Sequence, residues 1–124
     1  MKMFVALTLA ISVFTAQTAF SAKLARSFVI QSINYYGDSD GDGDREFGGC
    51  LLNVTPSPHT VLSGCGNIFV APSCDGTFGA KSLAASIMDQ ANLAVVTNRS
   101  IVLSIDNTKL HSGYCYVEYA GTVW

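Results

Sequence analysis

Four cysteines constrain the fold of this 124-residue chain more than any other feature of its sequence. They are Cys50, Cys65, Cys74 and Cys115, and all of them follow an N-terminal segment that has the layout of an export signal. There is no C-x-x-C pair and no nearby histidine cluster, so a structural zinc site is the weaker interpretation. An even cysteine count in a small exported domain predicts two disulfides. Three pairings are possible, and the spacing does not choose among them.

The N-terminal segment, residues 1–22, has the three parts of a secretory signal peptide. Lys2 supplies the positive start, and an apolar run follows from Met3 to about Phe14. Residues 19–22 read AFSA, which resembles a small-x-small cleavage site. The apolar run is shorter than the ~20 residues needed to span a bilayer. We therefore predict cleavage after Ala22 and a secreted or periplasmic location for a single mature domain, residues 23–124.

The charge of the predicted mature domain excludes one class of partner. Loss of Lys2 leaves six of the seven basic residues against nine acidic ones, which changes the net charge from -2 to -3. A nucleic-acid-binding domain would need a clustered basic face. A domain of this length also buries a limited fraction of its surface, so disulfides are expected to contribute much of its stability.

The order of predicted elements defines the fold class. Segments rich in β-branched and aromatic residues predict strands at 27–36, about 46–55, about 67–72, 101–105 and 114–123. Between the third and fourth strands, Leu83, Ile87, Ala91 and Val95 recur at helical spacing, and Asn98 is a suitable helix terminator. The order β-β-β-α-β-β predicts a mainly β domain with one helix, in an OB-fold-like five-stranded barrel. The alternative is an α+β sheet with one packed helix.

Aromatic residues are the strongest candidates for ligand contact. Strand alternation predicts that Tyr114 and Tyr116 face outward and that Tyr119 faces the core. Together with Tyr36, the two outward tyrosines are predicted to form an exposed ligand-binding patch, because aromatic faces stack on sugars and build protein interfaces. The alternative is that these residues only reflect strand propensity.

The segment between the first two strands concentrates carboxylates. Asp38, Asp40, Asp42 and Asp44 alternate with small residues, and hard oxygen ligands of this kind suit calcium. The segment begins like an EF-hand loop, but its twelfth position is Gly49 rather than a bidentate glutamate. A solvated loop without metal is the alternative. No other cofactor is predicted.

Catalytic residues are not predicted. The two histidines, His59 and His111, fall in loops without a recognisable nucleophile and orienting group, so both are predicted to be surface residues. There is no G-x-S-x-G elbow, and the cysteines are expected to be paired.

The segment from Gly79 to Ile87 (GAKSLAASI), followed by Ala91, Asn98, residues 101–106 (IVLSID) and Cys115, resembles small secreted bacterial proteins related to the B subunits of subtilase-type and pertussis-like toxins. The resemblance extends in layout over residues 28–123. It implies an OB-fold, assembly as a ring of five and glycan binding on the outer faces. It also implies the pairings Cys50–Cys65 and Cys74–Cys115.

These observations together predict a secreted, non-enzymatic binding module whose partner is a glycan, a protein surface or its own copies in a ring. Two alternatives stay open at this point. One is an exported structural or envelope-associated protein without a ligand. The other is a calcium-dependent binder that uses the acidic loop.

Overall fold

The computed structural model describes residues 22–38, 41–43 and 45–122. The predicted signal peptide, apart from Ala22, therefore lies outside the described residues. The elements are strands and helices in the order predicted for the chain, so the mainly β class with one main helix is confirmed. They are β1 (Lys23–Tyr35), a 3-10 turn (Glu46–Gly49), β2 (Cys50–Thr55), the one-turn helix α1 (Pro58–Val61), β3 (Phe69–Val70), α2 (Lys81–Val96), β4 (Ile101–His111) and β5 (Tyr114–Thr122). No helix in the described part of the chain is long and apolar enough to cross a membrane.

The five strands form one sheet in the order β3-β2-β1-β4-β5, and every neighbouring pair is antiparallel. Strand β1 is shared between two neighbours. Its first half, residues 23–28, pairs with β4, and its second half, residues 29–35, pairs with β2. The register along β2 shifts between Ile30 and Ser32, which leaves Gln31 as an extra residue. A bulge of this kind bends a strand, and here it lies where β1 passes from one neighbour to the other.

The sheet is not closed into a barrel, so the predicted OB-like closure is not formed and the open sheet with a packed helix describes the fold. One isolated parallel bridge, between Ala71 just after β3 and Tyr116 of β5, links the backbones at the two edges of the sheet. The Ala71 N–H donates to the Cys115 carbonyl at 2.9 Å, and the Val117 N–H donates to the Ala71 carbonyl at 3.0 Å. The next residue, Pro72, has no N–H to continue a ladder.

Helix α2 covers one face of the sheet with small and medium side chains. Ile87 and Ala91 are buried as the helical spacing predicts, whereas Leu83 and Val95 are exposed. The buried stripe is centred on the alanine side of the helix, because short side chains let the helix approach the sheet closely. Asn98 adopts the left-handed conformation predicted for a helix terminator, with a φ of 52°. The buried helix residues are Ala84, Ile87, Met88, Ala91 and Ala94.

Both predicted disulfides are present, but the pairing implied by the toxin resemblance is wrong. The bonds join Cys50 to Cys74 and Cys65 to Cys115. The reason is the direction of β3. Because β3 is antiparallel to β2, with Val70 opposite Leu52, the chain that leaves β3 passes the first residue of β2. The chain that enters β3 lies beside the start of β5, where the Gly66 N–H donates to the Gly113 carbonyl, so the cysteine before β3 meets Cys115.

Candidate functional site

Four aromatic side chains form a continuous cluster at one end of the sheet, which we call the aromatic surface. Tyr36 follows β1, Phe47 lies in the 3-10 turn, Phe69 is in β3 and Tyr114 opens β5. The ring centroids are 5.0 Å apart for Tyr36 and Phe47, 5.9 Å for Phe47 and Tyr114, and 5.4 Å for Phe69 and Tyr114. These separations are typical of interacting aromatic pairs. All four side chains are half-buried, so part of each ring faces solvent.

Backbone conformation places Phe47 on this surface. The 3-10 turn contains three successive residues of positive φ, namely Phe47 at 52°, Gly48 at 72° and Gly49 at 91°. A Cβ on Gly48 would lie 2.5 Å from Nε2 of His111, so only glycine leaves room for the imidazole. Gly48 therefore lets the turn rest directly on the β4–β5 hairpin, next to His111, and the Phe47 ring packs against that of Tyr114.

A second glycine contact supports Tyr114. A Cβ on Gly66 would lie 2.8 Å from the Tyr114 ring and 2.9 Å from the Gly113 carbonyl oxygen. The Gly66 N–H donates to that carbonyl at 2.9 Å. The disulfide between Cys65 and Cys115 joins the residues next to this contact. The position of Tyr114 is thus fixed by backbone contact and by a covalent bond, and the ring is ordered before any ligand arrives.

The structure brings together two of the three predicted ligand-binding tyrosines. Tyr36 and Tyr114 both belong to the aromatic surface, with Phe47 between them. Tyr116 does not belong to it, because only 4% of its surface is exposed, and the prediction that it is available to a ligand is wrong. The Phe78 ring lies 5.7 Å from that of Tyr116, and Lys109 Nζ lies 5.5 Å from its centroid.

Phe47 and Phe69 belong to the aromatic surface and were not predicted as contact residues. Phe47 falls in a segment predicted to be strand, and the glycines that follow it are the only sign of a turn. Phe69 is one of two residues in a very short strand, where alternation gives no reliable face. Neither position carries a sequence motif.

A polar cluster of Ser73, Asp75 and His111 lies next to the aromatic surface. The Ser73 hydroxyl is 3.0 Å from His111 Nε2 and donates to Asp75 Oδ1 at 3.1 Å. The same hydroxyl accepts the Phe78 N–H at 3.2 Å, and the Phe78 ring lies 4.6 Å from the imidazole. Only 11% of the His111 side chain is exposed, so the prediction that His111 is a surface residue is wrong.

The polar cluster has the residue types of a hydrolytic triad but not its geometry. Ser73 is fully buried, so its hydroxyl does not reach solvent. In a triad the carboxylate holds one imidazole nitrogen while the hydroxyl meets the other. Here Asp75 Oδ1 lies 3.9 Å from Nε2, the same nitrogen that meets Ser73. The cluster therefore ties the segment after β3 to the β4–β5 hairpin.

Burial and hydrogen bonds change the acid–base behaviour of this cluster. Burial lowers the pKa of His111, and the nearby Asp75 carboxylate opposes that shift. Burial alone would raise the pKa of Asp75, but hydrogen bonds from Thr77 and Ser73 lower it. At neutral pH the cluster accordingly holds a neutral imidazole beside a carboxylate.

His59 lies in the one-turn helix α1 and is exposed, as predicted. Its Nδ1 is 2.8 Å from the Ser57 hydroxyl, which also accepts the Ile68 N–H at 3.0 Å. Ser57 additionally bonds Asn67. These contacts close the loop between β2 and β3.

The acidic loop is described only in part. Asp38 accepts the N–H groups of Gly41 at 2.9 Å and Gly43 at 2.8 Å, which folds the loop back on itself. Asp42 is exposed, whereas Asp40 and Asp44 lie outside the described residues. Across residues 22–38, 41–43 and 45–122, no group of three or more His, Cys, Asp or Glu side chains could hold a metal ion. Calcium binding by the four aspartates stays a prediction.

Comparisons with protein-family models, with curated proteins and with solved structures found no match for this chain. The resemblance to toxin B subunits therefore stays a prediction from the sequence pattern.

Proposed function

We propose that this chain is an exported, non-enzymatic binding module and that the aromatic surface of Tyr36, Phe47, Phe69 and Tyr114 binds its ligand. The observation that carries the proposal is the unbroken contact among four rings that are each partly open to solvent. Such rings offer a large apolar area at low conformational cost on binding, because they are already held in place.

A glycan is the ligand class that this surface suits best. The apolar faces of sugar rings stack on aromatic side chains, and the adjoining loop supplies acceptors for sugar hydroxyl groups. Asp38 and Asp42 are exposed and lie directly beyond Tyr36 in the chain. Their negative charge favours a neutral sugar over an acidic one at this surface. The resemblance to toxin B subunits in the sequence pattern implies the same ligand class.

Export is supported by the cysteines and by the N-terminal segment. Two disulfides stabilise the domain, and such bonds persist in oxidising compartments outside the cytoplasm. The signal-like segment of residues 1–22 supplies a route to that location. Assembly as a ring, which the resemblance implies, remains part of the proposal.

The test is glycan-array screening of the mature chain, followed by calorimetry with the best ligand. We expect Tyr114→Ala to weaken binding about fivefold, since one stacking contact is of the order of 1 kcal/mol. Tyr119→Ala is the matched control, because Tyr119 is exposed on the same strand but makes no ring contact with the cluster. Absence of any glycan ligand, or equal losses in the two variants, would refute the proposal.

Light scattering coupled to size exclusion tests the assembly. A ring of five is expected at the concentrations used for calorimetry. A monomer at every concentration would refute assembly as a ring. It would not affect the proposal that the aromatic surface binds a glycan, which is tested separately.

A further inference from the structure

Two adjoining cavities lie on the side of the 3-10 turn that faces helix α2. One has a volume of about 250 Å³ and the other about 210 Å³. Arg45 and Lys81 line both cavities, so the two spaces meet at a pair of cations. The larger cavity is completed by Tyr35, Cys74, Ala85, Met88 and Asp89. The smaller one is completed by Gly43, Asp75 and Thr77.

The two cations are available to a ligand. Within the described part of the chain, neither Arg45 nor Lys81 makes an ion pair or a side-chain hydrogen bond. Asp75 is already engaged by the Ser73 hydroxyl and the Thr77 N–H. Arg45 and Lys81 line the same cavities as Asp89 and Asp75 but form no ion pair with either carboxylate, so an anion placed between the two cations would be attracted to both.

Packing against glycines holds both side chains at the cavity wall. A Cβ on Gly49 would lie 2.9 Å from Cδ of Arg45, and a Cβ on Gly76 would lie 3.1 Å from Cγ of Lys81. Each aliphatic stem therefore rests directly on glycine backbone. Side chains that are positioned before binding lose less conformational entropy when a ligand arrives.

We propose that the larger cavity binds a small carboxylate whose remaining atoms are apolar or aromatic. Its charged lining consists of two cations and Asp89, which is a net charge of +1 and complements a single negative charge. A planar carboxylate suits the guanidinium fork of Arg45. One wall of the cavity is apolar and is formed by Met88, Ala85 and Tyr35. Inorganic phosphate has no apolar group to pack against this wall. The volume of the larger cavity is below the roughly 300–1,000 Å³ of pockets for drug-sized ligands, so we expect a smaller ligand.

This site is separate from the aromatic surface. Tyr35 and Tyr36 are consecutive residues at the end of β1, and successive side chains of a strand point to opposite faces. Tyr36 contacts Phe47 on one side, and Tyr35 lines the cavity on the other. A ligand in the cavity and a glycan on the aromatic surface would therefore not compete directly.

The experiment is NMR titration of the mature chain with benzoate, with benzamide as its uncharged analogue and with inorganic phosphate. Benzoate is expected to give saturable shifts at Arg45, Lys81 and Met88, and the other two probes should bind at least tenfold more weakly. Titrations with N-acetylphenylalanine and glucuronate distinguish a peptide carboxyl terminus from an acidic sugar as the natural source of the group. Tighter binding of N-acetylphenylalanine supports the proposal, whereas tighter binding of glucuronate contradicts the apolar or aromatic character proposed for the ligand.

Matched variants test whether the two cations carry the binding. Arg45→Gln and Lys81→Gln should each weaken benzoate about tenfold, since each removes a charge-assisted contact. Arg26→Gln, on the exposed first half of β1, should leave binding unchanged. Tyr114→Ala should also leave it unchanged, which separates this result from that of the glycan test. Equal binding of benzoate and benzamide, or no saturation by any carboxylate, would overturn the proposal.

Discussion

The disulfide pairing gives the sharpest prediction about this molecule. Removal of one cysteine must release the thiol of its partner. In Cys65→Ser the structure predicts that Cys115 becomes the free thiol, whereas the pairing implied by the toxin resemblance would release Cys50. Denaturation at low pH, alkylation and peptic digestion identify the labelled cysteine while thiol exchange is suppressed. Labelling at Cys50 would refute the observed arrangement of the segments that flank β3.

The cost of removing each bond follows from the length of chain that it closes. The Cys65–Cys115 bond closes 50 residues and the Cys50–Cys74 bond closes 24. Loop-closure entropy then gives losses of about 4 and about 3.5 kcal/mol for the two double serine variants. Each is a large share of the ~5–15 kcal/mol by which small domains are stable. Urea unfolding measures both values. Losses well below 1 kcal/mol for either variant would show that the bond does not restrict the unfolded chain as calculated.

Three further predictions concern stability and acid–base behaviour. Leu103→Ala should lower the free energy of unfolding by about 2–5 kcal/mol, because Leu103 is fully buried, and urea unfolding against exposed Leu24→Ala as control checks this. Gly66→Ala should lower the melting temperature by several degrees, because its Cβ meets backbone and the Tyr114 ring; Gly37→Ala, with open space around it, should not. The melting temperature should fall as pH decreases from about 6.5, since the lowered pKa of folded His111 makes the unfolded chain bind the proton more tightly. This first decline should level off below the folded pKa of His111 and be absent in His111→Gln. A second decline, below the ordinary pKa of aspartate, should persist in that variant because the pKa of Asp106 is also lowered in the folded state.

In the final strand, β5, the alternation of residue types predicts the orientation of some side chains correctly and of others wrongly. Alternation correctly separates Cys115 and Val117, which are buried, from Tyr114. It fails at Tyr119, which is 55% exposed, because the register shift opposite Ser104 and Ile105 inserts Glu118 and reverses the faces. A bulge of this kind depends on the partner strand, so a pattern read along one strand does not contain it.

Tyr116 and the cysteines show a second limit. Local alternation assigns Tyr116 to the face away from Val117, but the Phe78 segment covers that face. Likewise, the cysteine count predicts two bonds, yet their pairing depends on the direction in which β3 runs beside β2 and beside β5. The burial of Tyr116 and the disulfide pairing both depend on contacts between segments that are distant in the sequence. The helix is predicted better, because its extent and its terminator Asn98 depend on local sequence, although only Ile87 and Ala91 of the four spaced apolar residues are buried.

The shared strand β1 has a consequence for the order of assembly. Lys23 pairs with Asp106, which lies 83 positions further along the chain. The first half of β1 therefore cannot pair until that segment has been synthesised. The second half of β1 can pair with β2 much sooner, because Tyr35 meets Cys50 after only a short loop. Contacts between distant positions slow folding. The pairing of β1 with β4 should therefore form after the pairing of β1 with β2.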